Sequence, residues 1–254
     1  MTDRFSRTEQ LIGREAFAKL KKARVVVFGL GAVGSYAVEA LARAGIGFLR
    51  LVDCDIVRPS NINRQLYALE STLKRPKAEV AAERVRDINP DCTVEPFQGF
   101  AGKKTLPRFL SGRLDVVVDA IDGVTPKVEL IAAAVRLGIP VVSSMGAATR
   151  LDPSAVRLGD ISETDVCPLA RIVRKRLRRR GICSGIRCIY SVEEPFNKTE
   201  AVEAEEQSFR HGCLRRPIGS LSYMTGIFGL LAAGEVIKNI IPVHRKVHGR
   251  KESK

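Results

Sequence analysis

The chain has 254 residues, 45% hydrophobic and 28% charged, enough apolar length to bury a full core, which excludes a disordered chain, a collagen and a small disulfide scaffold. Its 42 basic against 28 acidic residues leave a formal charge of +14, which favours a polyanionic partner such as nucleic acid, nucleotide or anionic lipid and says nothing about fold. The polar start from Met1 to Gln10 has no apolar signal core, so the expected compartment is the reducing cytoplasm and the six cysteines are expected as thiols.

Ser6 and Glu9 have the spacing of a capping box, and Leu11, Phe17 and Leu20 supply apolar positions for an N-terminal helix over residues 6–22. The apolar run Val25 to Phe28 predicts a strand over Arg24 to Phe28 that ends at Gly29, and Val33 to Ala44 a helix stopped by Gly45. Phe48 to Val52 gives a second strand, and Lys77 to Ile88 a helix between Pro76 and Asn89-Pro90. Val116 to Val118, Val128 to Leu137 and Pro140 to Ser143 continue the alternation of strand and helix. That alternation predicts an α/β fold with a Rossmann-like doubly wound sheet, mainly parallel through residues 23–150. Over 151–241 the pattern changes: Asp152-Pro153 lies between two short β-like runs, Leu169 to Arg180 reads as a helix and Arg187 to Ser191 as a strand, so mixed or antiparallel pairing is expected. Glu193 to Glu206 holds six glutamates and few apolar residues, which makes 193–212 the best candidate for a mobile loop. Pro217 to Gly234 carries no charge over 18 residues, but its glycines and its run into Glu235 and Lys238 fit a buried helix or subunit interface better than a membrane span. Residues 1–241 are expected to form a single nucleotide-binding domain, and 242–254 a basic tail containing Arg245, Lys246, Arg250, Lys251 and Lys254.

Gly29, Gly31 and Gly34 leave an apolar strand and open a helix, and Asp53 follows Gly34 by 19 residues at the end of the next strand. Glycines let backbone approach phosphates, the helix N-terminus favours negative charge, and the carboxylate can accept ribose hydroxyls. The fingerprint alone suits a nicotinamide oxidoreductase. Asn61, Arg64 and Lys77 shift the balance, because an amide, a guanidinium and an ammonium converging near the ribose acid suit a triphosphate. Asp119 and Asp122 close a later strand on the ligand side, where Asp122 is placed to hold a magnesium ion.

In that order the motifs resemble those of the ubiquitin-activating-like adenylyltransferases, the superfamily of the thiamine and molybdopterin activating enzymes. They are Arg4-Phe5-Ser6-Arg7, Gly29 to Gly34, Asp53-Cys54-Asp55, Ser60 to Gln65, Pro76-Lys77 and Asp119-Ala120-Ile121-Asp122. The resemblance implies that Asp53, with Asp55 beside it, serves the ribose end of ATP, that Asn61, Arg64 and Lys77 hold phosphates, and that Asp122 binds Mg2+. It also implies a homodimer in which Arg7 reaches the partner's nucleotide. The implied reaction is attack of a carboxylate on the α-phosphate, giving an acyl-adenylate and pyrophosphate. Neutralising phosphate charge supplies most of the catalysis, so no histidine is required.

Two Cys-x-x-Cys pairs, the usual zinc signature of the thiamine and molybdopterin enzymes, are missing: Cys167, Cys183, Cys188 and Cys213 are irregularly spaced, so no zinc is expected and Cys188 reads as a buried strand thiol. Arg171, Arg174, Lys175 and Arg178 fall on one face of their helix and Leu169, Val173 and Leu177 on another, so the helix is expected to pack on the protein and offer a basic stripe to RNA, the alternative being a solvated face. Ala42 to Gly47, Lys77 to Val80, Ile88-Asn89-Pro90, Asp160 with Pro168-Leu169-Ala170, and Cys188 to Ser191 are similar to the tRNA threonylcarbamoyladenosine dehydratases. This second resemblance runs to about residue 234. It implies ATP-dependent activation of the threonyl carboxylate of the modified adenosine beside the anticodon, then ring closure with release of AMP. Cys213, next to Arg210, His211, Arg215 and Arg216, resembles a cysteine that some relatives place near the nucleotide, and a sulfur relay from a cysteine desulfurase is one role for it, an incidental thiol the other. Two further readings stay open at this point: an adenylyltransferase for a small sulfur-carrier protein, and a nucleotide- or RNA-binding module without catalysis.

Overall fold

The computed structural model describes residues 4–196 and 218–241 and, for the backbone alone, 208–210 and 213–215. Of the expected loop 193–212, residues 197–207 and 211–212 lie outside the described residues, as do the basic tail 242–254 and the side chain of Cys213.

The predicted N-terminal helix is two helices, α1 (Ser6–Ile12) and α2 (Arg14–Lys22), because Gly13 at φ 84° breaks the run. No side chain caps α1: Phe5 precedes it, and Glu9 pairs with Arg14 at 3.2 Å, so the expected capping box does not form. Phe17 and Leu20 are buried as expected, whereas Leu11 is 84% exposed. Arg4 anchors this entry by donating to the carbonyl of Ile88 at 2.7 Å.

β1 (Arg24–Phe28), β2 (Phe48–Asp53), β4 (Val116–Asp119) and β5 (Val141–Ser144) are the parallel centre of a seven-stranded sheet. Between them run α3 (Gly34–Arg43), α4 (Lys77–Ile88), the short α5 (Leu106–Phe109) and α6 (Val124–Arg136). β1 shows why the centre needs an unbroken apolar run: Val25 and Val27 belong to the core under one face, Val26 and Phe28 to the core under the other. β3 (Thr93–Gln98) adds one edge, parallel to β2; Pro96 and its half-exposed pattern suit an edge strand and hide it from a periodicity reading. At the other edge β7 (Arg187–Ser191) pairs parallel with β5 and antiparallel with β6 (Val156–Asp160), giving the order β3-β2-β1-β4-β5-β7-β6. The expected mixed pairing in the second half is therefore present. The segment 145–151 ahead of Asp152-Pro153 is a loop and not a strand. Two more short strands, β8 (Ser208–Arg210) and β9 (Cys213–Arg215), form a separate antiparallel pair.

α7 (Pro168–Arg178) covers one face with Ala170, Val173 and Leu177 buried. The uncharged stretch near the C-terminus lies in α8 (Ser222–Ile240), which continues through Glu235 and Lys238 and packs on α3. Their approach is close enough that a methyl on Gly229 would lie 2.4 Å from the carbonyl oxygen of Val33. Among the described residues no helix is long and apolar enough to cross a membrane.

Candidate active site

The strand order reverses between β1 and β4, and there the carboxyl ends of parallel strands open a crevice. The three glycines of the first turn do different work. Gly29, at φ 86°, and Gly34 are required by the fold: a Cβ on Gly29 would lie 2.6 Å from Ala120 O, and one on Gly34 1.7 Å from Gly29 O. Gly31 is different, since its added Cβ would meet nothing closer than the flexible end of Gln65 at 3.7 Å. The turn is thus locked by its outer glycines and open at its middle one, the cradle a phosphate needs.

Asp53 ends β2 and holds this turn. Its Oδ2 accepts from Leu30 N at 2.6 Å and its Oδ1 from Asp55 N at 2.7 Å, which leaves each oxygen a lone pair for a ribose hydroxyl. Burial raises its pKa against the opposing pull of Lys77 and of those amides. Lys77, the first residue of α4, is 3% exposed and its Nζ lies 3.3 Å from Asp55 Oδ2. Cys54, between the two aspartates, is pushed up to about 11 by burial and by their charge, so it is a poor nucleophile.

Asn61 and Arg64 belong to a tight turn after Pro59. Asn61 is buried and its Oδ1 accepts from Arg58 N at 3.2 Å; Arg64 is half-buried, donating from Nη1 to Ser60 O at 2.8 Å and to Asn63 Oδ1 at 2.7 Å. The crevice joins the glycine turn to Asp53 and Asp55 to Lys77, and the turn of Asn61 and Arg64 runs into Gln65, whose side chain ends against Gly31. Asp122 lies three residues beyond β4, exposed on the loop that leads into α6, where a carboxylate can meet a cation on phosphate oxygens. Arg7 is exposed on α1.

Sequence reading missed the polar network beneath Asp122. Asp119 and Lys127 both have 0% exposed side chains and pair at 2.6 Å; Ser143 Oγ donates to the same Asp119 Oδ2 at 2.6 Å. Asp119 Oδ1 accepts from Ile121 N at 3.1 Å, and Lys127 reaches on to Ser144 O at 2.9 Å. The network ties the ends of β4 and β5 to the first turns of α6 and so fixes the loop that carries Asp122. The signal was present as a lysine among apolar Val128, Leu130 and Ile131, positions that an amphipathic helix turns inward.

The expected basic stripe on α7 is partly corrected. Arg171, Lys175 and Arg178 are exposed, whereas Arg174 is half-buried and donates to Thr164 Oγ1 at 2.6 Å and to the Thr164 carbonyl. Its place in the turn lies close to the face that Val173 and Leu177 bury, so it packs inward. Arg176 and Arg179, outside the expected stripe, extend the basic surface on the side away from Arg174: with Arg171, Ile172 and Lys175 they line a surface groove of about 530 Å³. Arg176 also donates to Thr125 Oγ1 at 3.0 Å, which sets this basic surface beside the loop of Asp122. Cys188 is buried in β7 as expected, and burial pushes its thiol well up.

The ThiF family model matches residues 5–252. The chain is 40% identical over 245 residues to the tRNA threonylcarbamoyladenosine dehydratase of Bacillus subtilis, covering 95% of this chain and 96% of that one. The crystal structure of the Escherichia coli tRNA N6-threonylcarbamoyladenosine dehydratase in complex with ATP superposes with a TM-score of 0.82 at 35% identity, covering 94% of each chain. Similarity to the molybdopterin-synthase adenylyltransferase of Salmonella typhimurium, 36% identical, stops at 140 residues, 55% of this chain and 54% of that one.

Proposed function

The chain belongs to the ThiF family, and on that premise we propose that it uses ATP to dehydrate and cyclise N6-threonylcarbamoyladenosine beside the anticodon of tRNA. The threonyl carboxylate attacks the α-phosphorus, pyrophosphate leaves, and internal attack on the acyl-adenylate closes the ring with release of AMP. The observation that carries this reading is the crevice: a turn open only at Gly31 and held by the Asp53 carboxylate, with Lys77 paired to Asp55 beside it and Asn61 and Arg64 on the turn that ends at Gln65 against Gly31. A nicotinamide enzyme has no use for those three cationic and amide groups. The whole-length similarity to two dehydratases, against half-length similarity to a sulfur-carrier adenylyltransferase, supports tRNA as the acceptor.

Arg64 and Lys77 would neutralise the phosphates and hold the α-phosphorus for attack. Asp122 is the residue that would hold magnesium, which supplies further neutralisation of charge on the departing phosphate. Arg7, exposed on α1, would reach the nucleotide of a second copy, so the active unit is a homodimer that works in the cytoplasm. The reaction consumes no sulfur. A cysteine desulfurase relay through Cys213 would therefore lie outside it, and Cys213→Ser should leave dehydration unchanged.

The test is to incubate the protein with MgATP and threonylcarbamoylated tRNA and to look by mass spectrometry for a nucleoside lighter by one water. A verified substrate that yields no such nucleoside and no AMP sinks the reading. Pyrophosphate exchange into ATP that depends on a carrier protein instead would install the sulfur-carrier activity. Asp122→Asn should abolish turnover while leaving ATP binding within a few-fold, because cation charge matters most as charge develops on the transferring phosphate.

A further inference from the structure

Arg150, in the loop after β5, is 3% exposed, yet its Nε and Nη1 find no acceptor. Ser220 Oγ is the one other buried side-chain nitrogen or oxygen position in that condition among the described residues. The two belong to one place. Thr149 N donates to Gly219 O at 3.0 Å, so Arg150 and Ser220 are the next residues on either side of the same backbone bridge. Ser220 O accepts from Asn63 Nδ2 at 3.1 Å, and Asn63 Oδ1 accepts from Arg64 Nη1 at 2.7 Å. A short chain of hydrogen bonds thus leads from the turn of Asn61 and Arg64 to the backbone that carries Arg150 and Ser220.

Among the described residues, Glu193 and Asp152 do not serve it. Glu193 directs its carboxylate at the amides of Leu151, at 3.0 and 3.1 Å, and Asp152, at 3.0 Å; Asp152 Oδ1 accepts from Ser154. Burying an ionised guanidinium without an acceptor is strongly unfavourable, and arginine does not escape by losing its proton. Such a group is tolerated where an anion arrives to complete it, and the planar donor set of arginine suits a carboxylate.

We infer that Arg150, with the Ser220 hydroxyl, is the receptor for the carboxylate of the acceptor before that carboxylate is adenylated. This rests on the proposed function above and adds to it the residues that select a carboxylate-bearing nucleoside. The task is electrostatic: one anion must approach a triphosphate carrying several negative charges, and a buried cation at the mouth of the phosphate site cancels that repulsion. As the carboxylate oxygen bonds to the α-phosphorus, the bond to the bridging oxygen breaks and pyrophosphate takes the electron pair. Arg150 keeps its proton throughout.

The same donor chemistry would accept a phosphate oxygen, from ATP or from the tRNA backbone, so three probes are needed. Binding is measured for the intact protein and for Arg150→Met and Arg150→Gln, with a non-hydrolysable ATP analogue present, using threonylcarbamoylated tRNA, the same tRNA with that carboxylate as its neutral methyl ester, and unmodified tRNA; ATP affinity and melting temperature are measured alongside. The intact protein should favour the carboxylate form, and in both variants that preference over the ester should collapse, with a fall in kcat/KM of about 100-fold. ATP affinity and the grip on unmodified tRNA should stay the same, and the melting temperature should hold or rise, since an unpaired buried charge is gone. A preference that survives in both variants overturns the assignment. Lost ATP affinity makes the anion a nucleotide phosphate, equal weakening toward all three tRNAs makes it a backbone phosphate, and a melting temperature lowered in both variants makes Arg150 structural; each of these also overturns it. Failure of the intact protein to turn over the carboxylate tRNA at all would instead bring down the proposed function itself, and this assignment with it.

Discussion

The two banks of the crevice are built on opposite principles. On the nucleotide bank, Asp53 already uses both oxygens on the backbone of its own turn, Lys77 is paired with Asp55, and Asp119 is surrounded by Lys127, Ser143 and Ile121 N. On the acceptor bank, Arg150 Nε and Nη1 and Ser220 Oγ are buried with no partner among the described residues, and the cations of α7 line an open groove. The first bank is held by the protein's own groups, while the second, on the assignment proposed above, would be completed by what binds to it. A nucleotide is the same in every turnover and rewards preorganisation. The acceptor is a large polyanion that must enter, be recognised by one small group, and leave.

If that contrast is sound, damage to the nucleotide bank should register first as lost stability. Lys127→Met leaves the Asp119 carboxylate buried beside only Ser143 and one amide, and should cost about 3–5 kcal/mol by denaturant unfolding. Pairing it with Asp119→Leu should recover most of the loss; a single variant as stable as the parent would mean the network does not hold the bank together. Gly34→Ala comes next, because its methyl would sit 1.7 Å from Gly29 O and must displace backbone. A cost of about 1–3 kcal/mol is expected from such overpacking, with ATP affinity falling in step. Gly31→Ala, which meets only the end of Gln65, should keep the melting temperature and lose nucleotide affinity alone.

Damage to the acceptor bank should leave stability unmoved. Lys175→Ala with Arg178→Ala should weaken tRNA binding several-fold and lower the slope of log affinity against log salt by about 1 to 2, with ATP affinity intact. Unchanged tRNA affinity would return α7 to a merely solvated face. The smallest expected effect is a split in pH dependence at Asp53. Burial raises its folded-state pKa, so its contribution to folding is present at pH below the unfolded value and is lost as pH rises through the folded one. Nucleotide binding needs the ionised form and should run the other way, weakening as pH falls through a midpoint above the ordinary aspartate range. Titration of ATP affinity in the parent and in Asp53→Asn checks this, and parallel curves would remove Asp53 from the ribose.

The nucleotide bank was the legible one. Val25 to Phe28, the glycines and Asp53 lie in or at the ends of the first two strands, and Asn61, Arg64 and Lys77 follow before the third, so the motif could be read in linear order. Boundaries failed where a local rule competed with a tertiary one: Gly13 broke a helix that the apolar spacing joined, and Pro96 hid an edge strand whose pairing comes from β2. Arg174 failed for a subtler reason. Helical spacing gave it a face, but Thr164, which lies outside the helix, decided which way the guanidinium turned.

What the sequence determined by itself is the strand and glycine pattern, the sign of the charge and the family of the nucleotide site, because each is written in short-range spacing that the backbone must obey. What tertiary structure decided is which buried polar groups are answered and which are not. Lys127 and Arg150 are both cations in or next to apolar stretches; one meets Asp119 on the strand before its helix, while Nε and Nη1 of the other find no acceptor among the described residues, and that difference arises only when segments distant in the chain are brought within hydrogen-bonding reach.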